Sequence, residues 1–219
     1  MSEVINAFLL AFAALFPIVN PIGGAPIFLA LTRRLRPEVR RGLALRIAIN
    51  GFCLLVGALF VGSHVLEFFG ITLPVVRIGG GLVVTAFAWK MLNDDSTAIE
   101  KKAGETGDRD EVDPALDAFY PLTMPLTVGP GSISVAITLG SQRPKVPASF
   151  DNLLLLAGGA VAGVLALAVT IYVCYRFADR IVAALGTSGT NVLTRLSAFI
   201  LLCIGIQILW NGYSALINP

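Results

Sequence analysis

The chain has 219 residues, of which 56% are hydrophobic and only 14% charged, with a net charge of +2 and a mean hydropathy of +0.81. A soluble domain carries roughly a quarter charged residues, so the composition excludes an ordinary soluble globule and points to the membrane class. The small net charge gives no reason to expect a nucleic-acid partner, and Cys53, Cys174 and Cys203 lie inside apolar segments without metal-ligand or disulfide spacing, so they read as small core residues.

No basic residue precedes the first apolar run and no small-residue cleavage site closes it, so this segment is expected to be retained. It covers residues 4–31, roughly 42 Å as a straight helix, more than the ~30 Å hydrocarbon core requires. The stretch FPIVNPIGGAP within it holds Pro17, Pro21, Pro26, Gly23 and Gly24, the residues a helix interior tolerates least, so the helix is expected to break there. Next comes the densest basic cluster, Arg33, Arg34, Arg36, Arg40, Arg41 and Arg46, which reads as a cytoplasmic loop. A second segment, residues 42–63, carries Gly51, Gly57 and Gly62 for close helix approach, and the turn holding His64 and Glu67 has no Lys or Arg. The third, residues 71–92, contains Arg77 and ends in the interfacial anchor Trp89–Lys90.

An acidic, polar stretch follows, residues 94–117, and reads as a linker between two halves. The fourth segment, residues 118–140, contains the second break, YPLTMPLTVGPG. The fifth, residues 153–177, carries Gly158, Gly159 and Gly163, and the sixth, residues 191–216, carries Arg195, Gln207, Trp210 and Asn211. If all six cross, twelve Lys and Arg fall on one side, against two, Arg143 and Lys145, on the other, with Arg77 and Arg195 embedded. Both termini are then expected outside the cytoplasm of a multi-pass plasma (inner) membrane protein.

The two breaks echo each other. Pro121, Pro125 and Pro130 repeat the spacing of Pro17, Pro21 and Pro26, and Arg77 precedes Asn93 by the same sixteen residues that separate Arg195 from Asn211. The expected fold is an all-α membrane protein of six transmembrane helices arranged as two inverted three-helix repeats, residues 1–93 and 118–219, with segments 1 and 4 broken near the midplane.

An unwound stretch inside hydrocarbon survives only if it is buried in protein or lines a wet cavity. Where the helix restarts, with Pro26 or Pro130 expected at its first position, free amides and a partial positive charge can hold a carboxylate. Carbonyls ending the preceding half-helix can receive an ammonium group. The candidate substrate-binding residues are therefore Asn20, Gly23, Gly24, Thr123, Thr127, Gly129, Gly131 and Ser132, with Arg77, Arg195, Pro21 and Pro125 in gating or supporting positions. The alternative reading is that Asn20 and Thr127 cap half-helices and the prolines kink them without a ligand, and the matching of two breaks counts against it. Met124 stands where Asn20 stands in the first break, which limits the symmetry.

FPIVNPIGGAPIFLALT together with YPLTMPLTVGPGSISVAITL resembles the two signature stretches of the MarC family of six-helix integral membrane proteins, and the resemblance covers the whole chain. It implies transport of a small zwitterion, because similar relatives move glycine and alanine with proton coupling. No carboxylate lies deep in any segment, so proton coupling rests on that resemblance alone. The function expected is a secondary transporter for small neutral amino acids, working by alternating access in the lipid bilayer. The alternatives are an exporter of another small solute or drug, or a membrane assembly protein that transports nothing. No HExxH, no intramembrane Gly-x-Asp pair and no GxxxxGK[ST] loop is present, so neither an intramembrane enzyme nor ATP-driven transport is expected, nor any cofactor or metal.

Overall fold

The computed structural model describes residues 2–33, 35–93, 118–141 and 150–217, and the expected linker lies outside them. Among the described residues every regular element is helical. In chain order they are α1 (Ser2–Val19), α2 (Pro21–Leu31), α3 (Pro37–Phe68) and α4 (Leu73–Asn93). A widely wound segment, π1 (Ala118–Thr127), is followed by α5 (Pro130–Ser141), α6 (Phe150–Arg176) and α7 (Ala178–Ile217).

Four stretches are long and apolar enough to cross a bilayer alone: α3, α4, Asn152–Arg176 and Ser188–Ile217. A fifth is the pair α1 and α2 taken as one span bent by 41°. The fourth expected segment, which would supply the remaining crossing, is split between π1 and α5, of 10 and 12 residues. Alone, α5 is about 18 Å long, short of the ~30 Å core. Only 17–33% of the apolar window of each of the four single spans is buried inside the protein. The outer faces, with Leu154, Leu165, Val169 and Phe199 exposed, therefore need lipid rather than water around them. The chain is a multi-pass membrane protein.

Two boundaries differ from expectation for local reasons. Pro37 has the fixed φ suited to a first helical position, so α3 begins inside the basic cluster and Arg40, Arg41 and Arg46 ride on its first turns beside buried Leu43, Ala44 and Ile47. Likewise α7 starts at Ala178, and its break is Gly186, at φ 64°, ψ −179°, a conformation that requires glycine. Arg40 Nη2 pairs with Asp179 Oδ2 at 2.7 Å, so the arginine-rich connections α2–α3 and α6–α7 share one end of the molecule, as the charge count anticipates. Phe177, between them, lies under both Arg176 and Arg180, whose guanidinium carbons are 5.4 and 5.3 Å from the ring centroid.

Packing exchanges the two halves. Helix α1 lies on α6, and π1 lies on α3; α2 packs on α7, and α5 packs on α4; α3 meets α6 and α4 meets α7. Each broken segment thus rests mainly on helices from the other half. The larger core joins α1, α2, α3, π1, α5 and α6, while Val84, Ala88 and Leu201 seal α4 against α7. Of the three cysteines only Cys174 is in the core. Cys53 and Cys203 are exposed on outer faces, which corrects their reading as core residues: a helix wetted by lipid can carry small apolar side chains outward as readily as inward.

The α1–α6 contact depends on backbone proximity. A Cβ at Gly163 would sit 2.6 Å from the Phe8 carbonyl oxygen, and one at Gly159 2.6 Å from that of Val4, whereas a Cβ at Gly158 meets nothing within 4 Å. Gly163→Leu is expected to lower stability by about 1–3 kcal/mol through overpacking, read as a lower thermal midpoint in detergent, while Gly158→Leu leaves the midpoint unchanged. Equal losses for the two would show that this contact is not set by the glycine.

Candidate functional site

Two breaks meet at the centre of the fold. In the first, α1 ends at Val19 and α2 restarts at Pro21, so a single residue separates the helices. The residue before a proline is normally extended, yet Asn20 sits at φ 48°, ψ 59°. Asparagine is one of the few L-residues that tolerates this left-handed region. Its Oδ1 accepts from the Gly23 N–H at 3.1 Å, and its carbonyl accepts from the Gly24 N–H at 2.9 Å. Pro21, buried at the first position of α2, has no N–H to satisfy.

This arrangement corrects two expectations. The helix restarts at Pro21, not at Pro26, because the Asn20 cap completes the turn and Pro26 falls inside α2. The amides of Gly23 and Gly24, expected to be available to a carboxylate, are taken by Asn20. The second break keeps to expectation at its end, where α5 starts at Pro130.

That second break is wider. Tyr120 and Met124, each preceding a proline, are extended at φ −129°, ψ 127° and φ −119°, ψ 120°. Two buried threonines patch the wide turns. The Thr123 hydroxyl donates to the Ala118 carbonyl, and the Thr127 hydroxyl donates to the Leu122 carbonyl at 2.7 Å. The Val128 N–H reaches the Thr123 carbonyl at 2.8 Å, again five residues back. Ser132 Oγ donates to the Gly129 carbonyl at 2.8 Å, beside the first turn of α5. Gly131 is pressed against α4, where an added Cβ would lie 1.9 Å from Val84 Cγ2. The amides of Gly131 and Ser132 belong to a first turn and have no intrahelical acceptor. Pro125 lies on π1, directly after the extended Met124.

One side chain joins the breaks. Tyr175, in the last turn of α6, is 2% exposed. Its ring stacks on Phe28 of α2 with centroids 4.6 Å apart. Its hydroxyl lies 2.9 Å from Thr127 Oγ1, and a Cβ at Gly24 would come within 2.7 Å of that same hydroxyl. Ser197 of α7 faces the first break alone: it is buried, and its Oγ lies 2.7 Å from where a Gly23 Cβ would be. Neither Tyr175 nor Ser197 is conspicuous in the sequence. Next to Arg176, Tyr175 reads as an interfacial aromatic, and only its buried hydroxyl reveals the role.

The remaining candidates lie elsewhere. Arg77 is half-buried and donates from Nε to Thr138 Oγ1 at 3.4 Å, on the far end of α5 from the break. Arg195 is exposed on α7, and His64 is exposed near the end of α3. A shallow depression of about 330 Å³ touches Ser63, Glu67, Gly70, Thr72 and Ser141 at the α3–α4 turn, away from both breaks. Around the breaks, the polar side chains Asn20, Thr123, Thr127 and Ser132 all hydrogen-bond within the protein.

Paired proline breaks packed across two helical halves are the structural counterpart of the two sequence signatures. The profile described as MarC family integral membrane protein matches residues 5–217. The chain belongs to the MarC family. It is 29% identical, over 100% of its length and 99% of the relative's, to the UPF0056 inner membrane protein MarC of Escherichia coli (strain SMS-3-5 / SECEC). The same figures hold for the proteins of that name from Escherichia coli (strain K12) and Shigella flexneri. No solved structure matches.

The first break makes its own prediction. Asn20→Ala loses both the cap, about 1 kcal/mol, and the tolerance of positive φ, about 1–2 kcal/mol, whereas Asn20→Gly keeps the backbone conformation and costs only a few tenths. Unfolding of the three proteins in detergent should therefore rank Ala well below Gly. Equal midpoints for the two variants would contradict the left-handed cap.

Proposed function

We propose that this MarC family protein is a secondary transporter of small neutral amino acids such as glycine and alanine. In this reading residues 1–93 and 118–219 are inverted three-helix repeats in the inner membrane, rocking about the paired breaks. The observation that carries the reading is the buried Tyr175 hydroxyl, which lies against Gly24 of one break and Thr127 of the other. The hydroxyl bonds within its own half, to Thr127, while the ring stacks on Phe28 and the hydroxyl presses on Gly24 of the other half, and that packing contact is one a rocking motion makes and breaks. The exchanged packing supports the repeat, since swapping the halves maps each contact between elements named above onto another such contact.

The chemistry of the breaks divides the substrate. The first-turn amides of Gly131 and Ser132 and the positive end of α5 suit a carboxylate. Carbonyls at the end of α1 suit an ammonium group, since Pro21 has no N–H to offer them. Tyr175 lies at the arginine-rich end of α6, four residues from Asp179 of the Arg40–Asp179 pair. It is the closing contact on that side, which the charge count makes cytoplasmic.

Reconstituted into proteoliposomes, the wild-type chain is expected to take up radiolabelled glycine or alanine. Gly24→Val, which drives bulk into the Tyr175 hydroxyl, should abolish uptake. Tyr175→Phe removes only the bond to Thr127 within the second half, about 1 kcal/mol, and keeps the stack on Phe28, so it should reduce uptake less than Gly24→Val does. Absence of uptake for every small amino acid tried would sink the proposal.

The orientation has a separate test. In a Cys53→Ser, Cys203→Ser background, Ser63→Cys should react with a membrane-impermeant maleimide on intact cells, and Arg36→Cys only after permeabilisation. The reverse pattern would place the termini in the cytoplasm.

A further inference from the structure

The outer face of α7 carries a pattern that packing inside this chain does not use. Its inward residues, Ser197, Ala198, Leu201, Gly205, Ile208 and Gly212, are buried against the rest of the protein. On the opposite side lie Leu196, Ile200, Cys203, Gln207, Trp210 and Ser214, spaced four, three, four, three and four residues apart. That is the 3.5-residue repeat of a helix–helix seam. The first five are exposed, with Leu196 at 54% and Trp210 at 62%.

The centre of this seam is polar at a depth where polarity is expensive. Gly205 packs against Thr85, and Gly81 against Leu209, so Gln207 stands level with the middle of α4, itself a 21-residue span. Gln207 is thus an amide on the outer face near mid-membrane height. Its Nε2 donates to Asn211 Oδ1 at 2.9 Å. A primary amide has two donors and an acceptor with two lone pairs, so this one bond leaves Gln207 Oε1 and the Asn211 NH₂ without a partner among the described residues. Lipid tails offer them none.

We infer that this face is an interface with a second copy of the same chain. The donors and acceptors left on the amide pair are complementary to themselves, which is what a two-fold axis demands. Two copies inserted in the same orientation bring their α7 helices together in parallel, so the seam runs in register. Gln207 meets the partner's amides in the middle, and Cys203, one turn away, faces its own counterpart. A single polar residue within such a repeat fixes register, and amides bridging transmembrane helices drive association. The seam lies on the side of α7 away from the breaks, so pairing leaves each copy's site separate, whatever the solute.

Cys203 makes the inference testable in native membranes. With Cys53→Ser as the parent, mild oxidation should convert the protein to a covalent dimer through Cys203, and adding Gln207→Leu should cut the dimer yield several-fold while the detergent melting temperature is unchanged or raised. A control carries Cys53→Ser, Cys203→Ser and Leu165→Cys, placing the thiol at an equally lipid-exposed position on α6, and should stay monomeric. The inference is overturned if the control crosslinks as well as Cys203, which marks random collision. It is also overturned if Cys203 does not crosslink, if Gln207→Leu leaves the yield intact, or if the mass in nanodiscs is that of one chain.

Discussion

Every backbone amide and carbonyl inside a bilayer must find its partner within the protein, and the structure follows from how two proline-broken segments meet that demand. An unsatisfied group in hydrocarbon costs several kcal/mol, comparable to the whole stability of an ordinary domain. The first break answers with geometry: one left-handed Asn20 lets the chain turn by 41° and resume hydrogen bonding immediately. The second answers with side chains, since Thr123 and Thr127 return hydroxyls to carbonyls five residues back. Neither solution works on a lipid-facing surface, because both leave polar groups partly matched, and this is why the broken segments are enclosed by α3, α4, α6 and α7.

Enclosure in turn explains the exchanged packing. A broken span is a poor scaffold for itself, so each rests on unbroken helices, and those available at the right height come from the other half. Glycines set how close the approach can be, at Gly163 under α1 and at Gly131 on α4. Tyr175 touches Thr127 of the second break and Phe28 and Gly24 beside the first, so a displacement at one break is felt at the other.

Much of this was legible before any coordinates. Membrane class, the long spans and both breaks follow from composition and from prolines in apolar runs, because the penalty for proline in a helix is local and large. The restart at Pro21 was not legible. It depends on the φ of Asn20, and no residue type dictates a left-handed conformation that its neighbour Pro21 would disfavour. Tyr175 was hidden for a different reason. An aromatic beside an arginine at a helix end usually marks the interface, and its burial here comes from Phe28 on a distant helix. The outward cysteines failed the same way in reverse: in lipid, hydrophobicity no longer tells inside from outside, so Cys53 and Cys203 carry no signal of the face they occupy.

The two breaks are related in sequence yet unequal in stiffness. At the first, a cap and a helix turn share a single residue, and changing that conformation means losing the Gly23 and Gly24 bonds together. At the second, ten residues are wound with bonds reaching five residues back, and the Thr123 and Thr127 hydroxyls add bonds to the Ala118 and Leu122 carbonyls. The Thr127 hydroxyl already serves the Leu122 carbonyl while lying within hydrogen-bond distance of Tyr175 Oη. Breaking the Tyr175 contact therefore leaves the second break's backbone patched, whereas no comparable reserve exists at Asn20. Met124 in place of an asparagine is the residue-level cause: without an amide to cap the next helix, the chain stays extended for longer and relies on its threonines. Two breaks of the same proline spacing thus satisfy their backbones differently, one at a single asparagine and the other over ten residues, on either side of Tyr175.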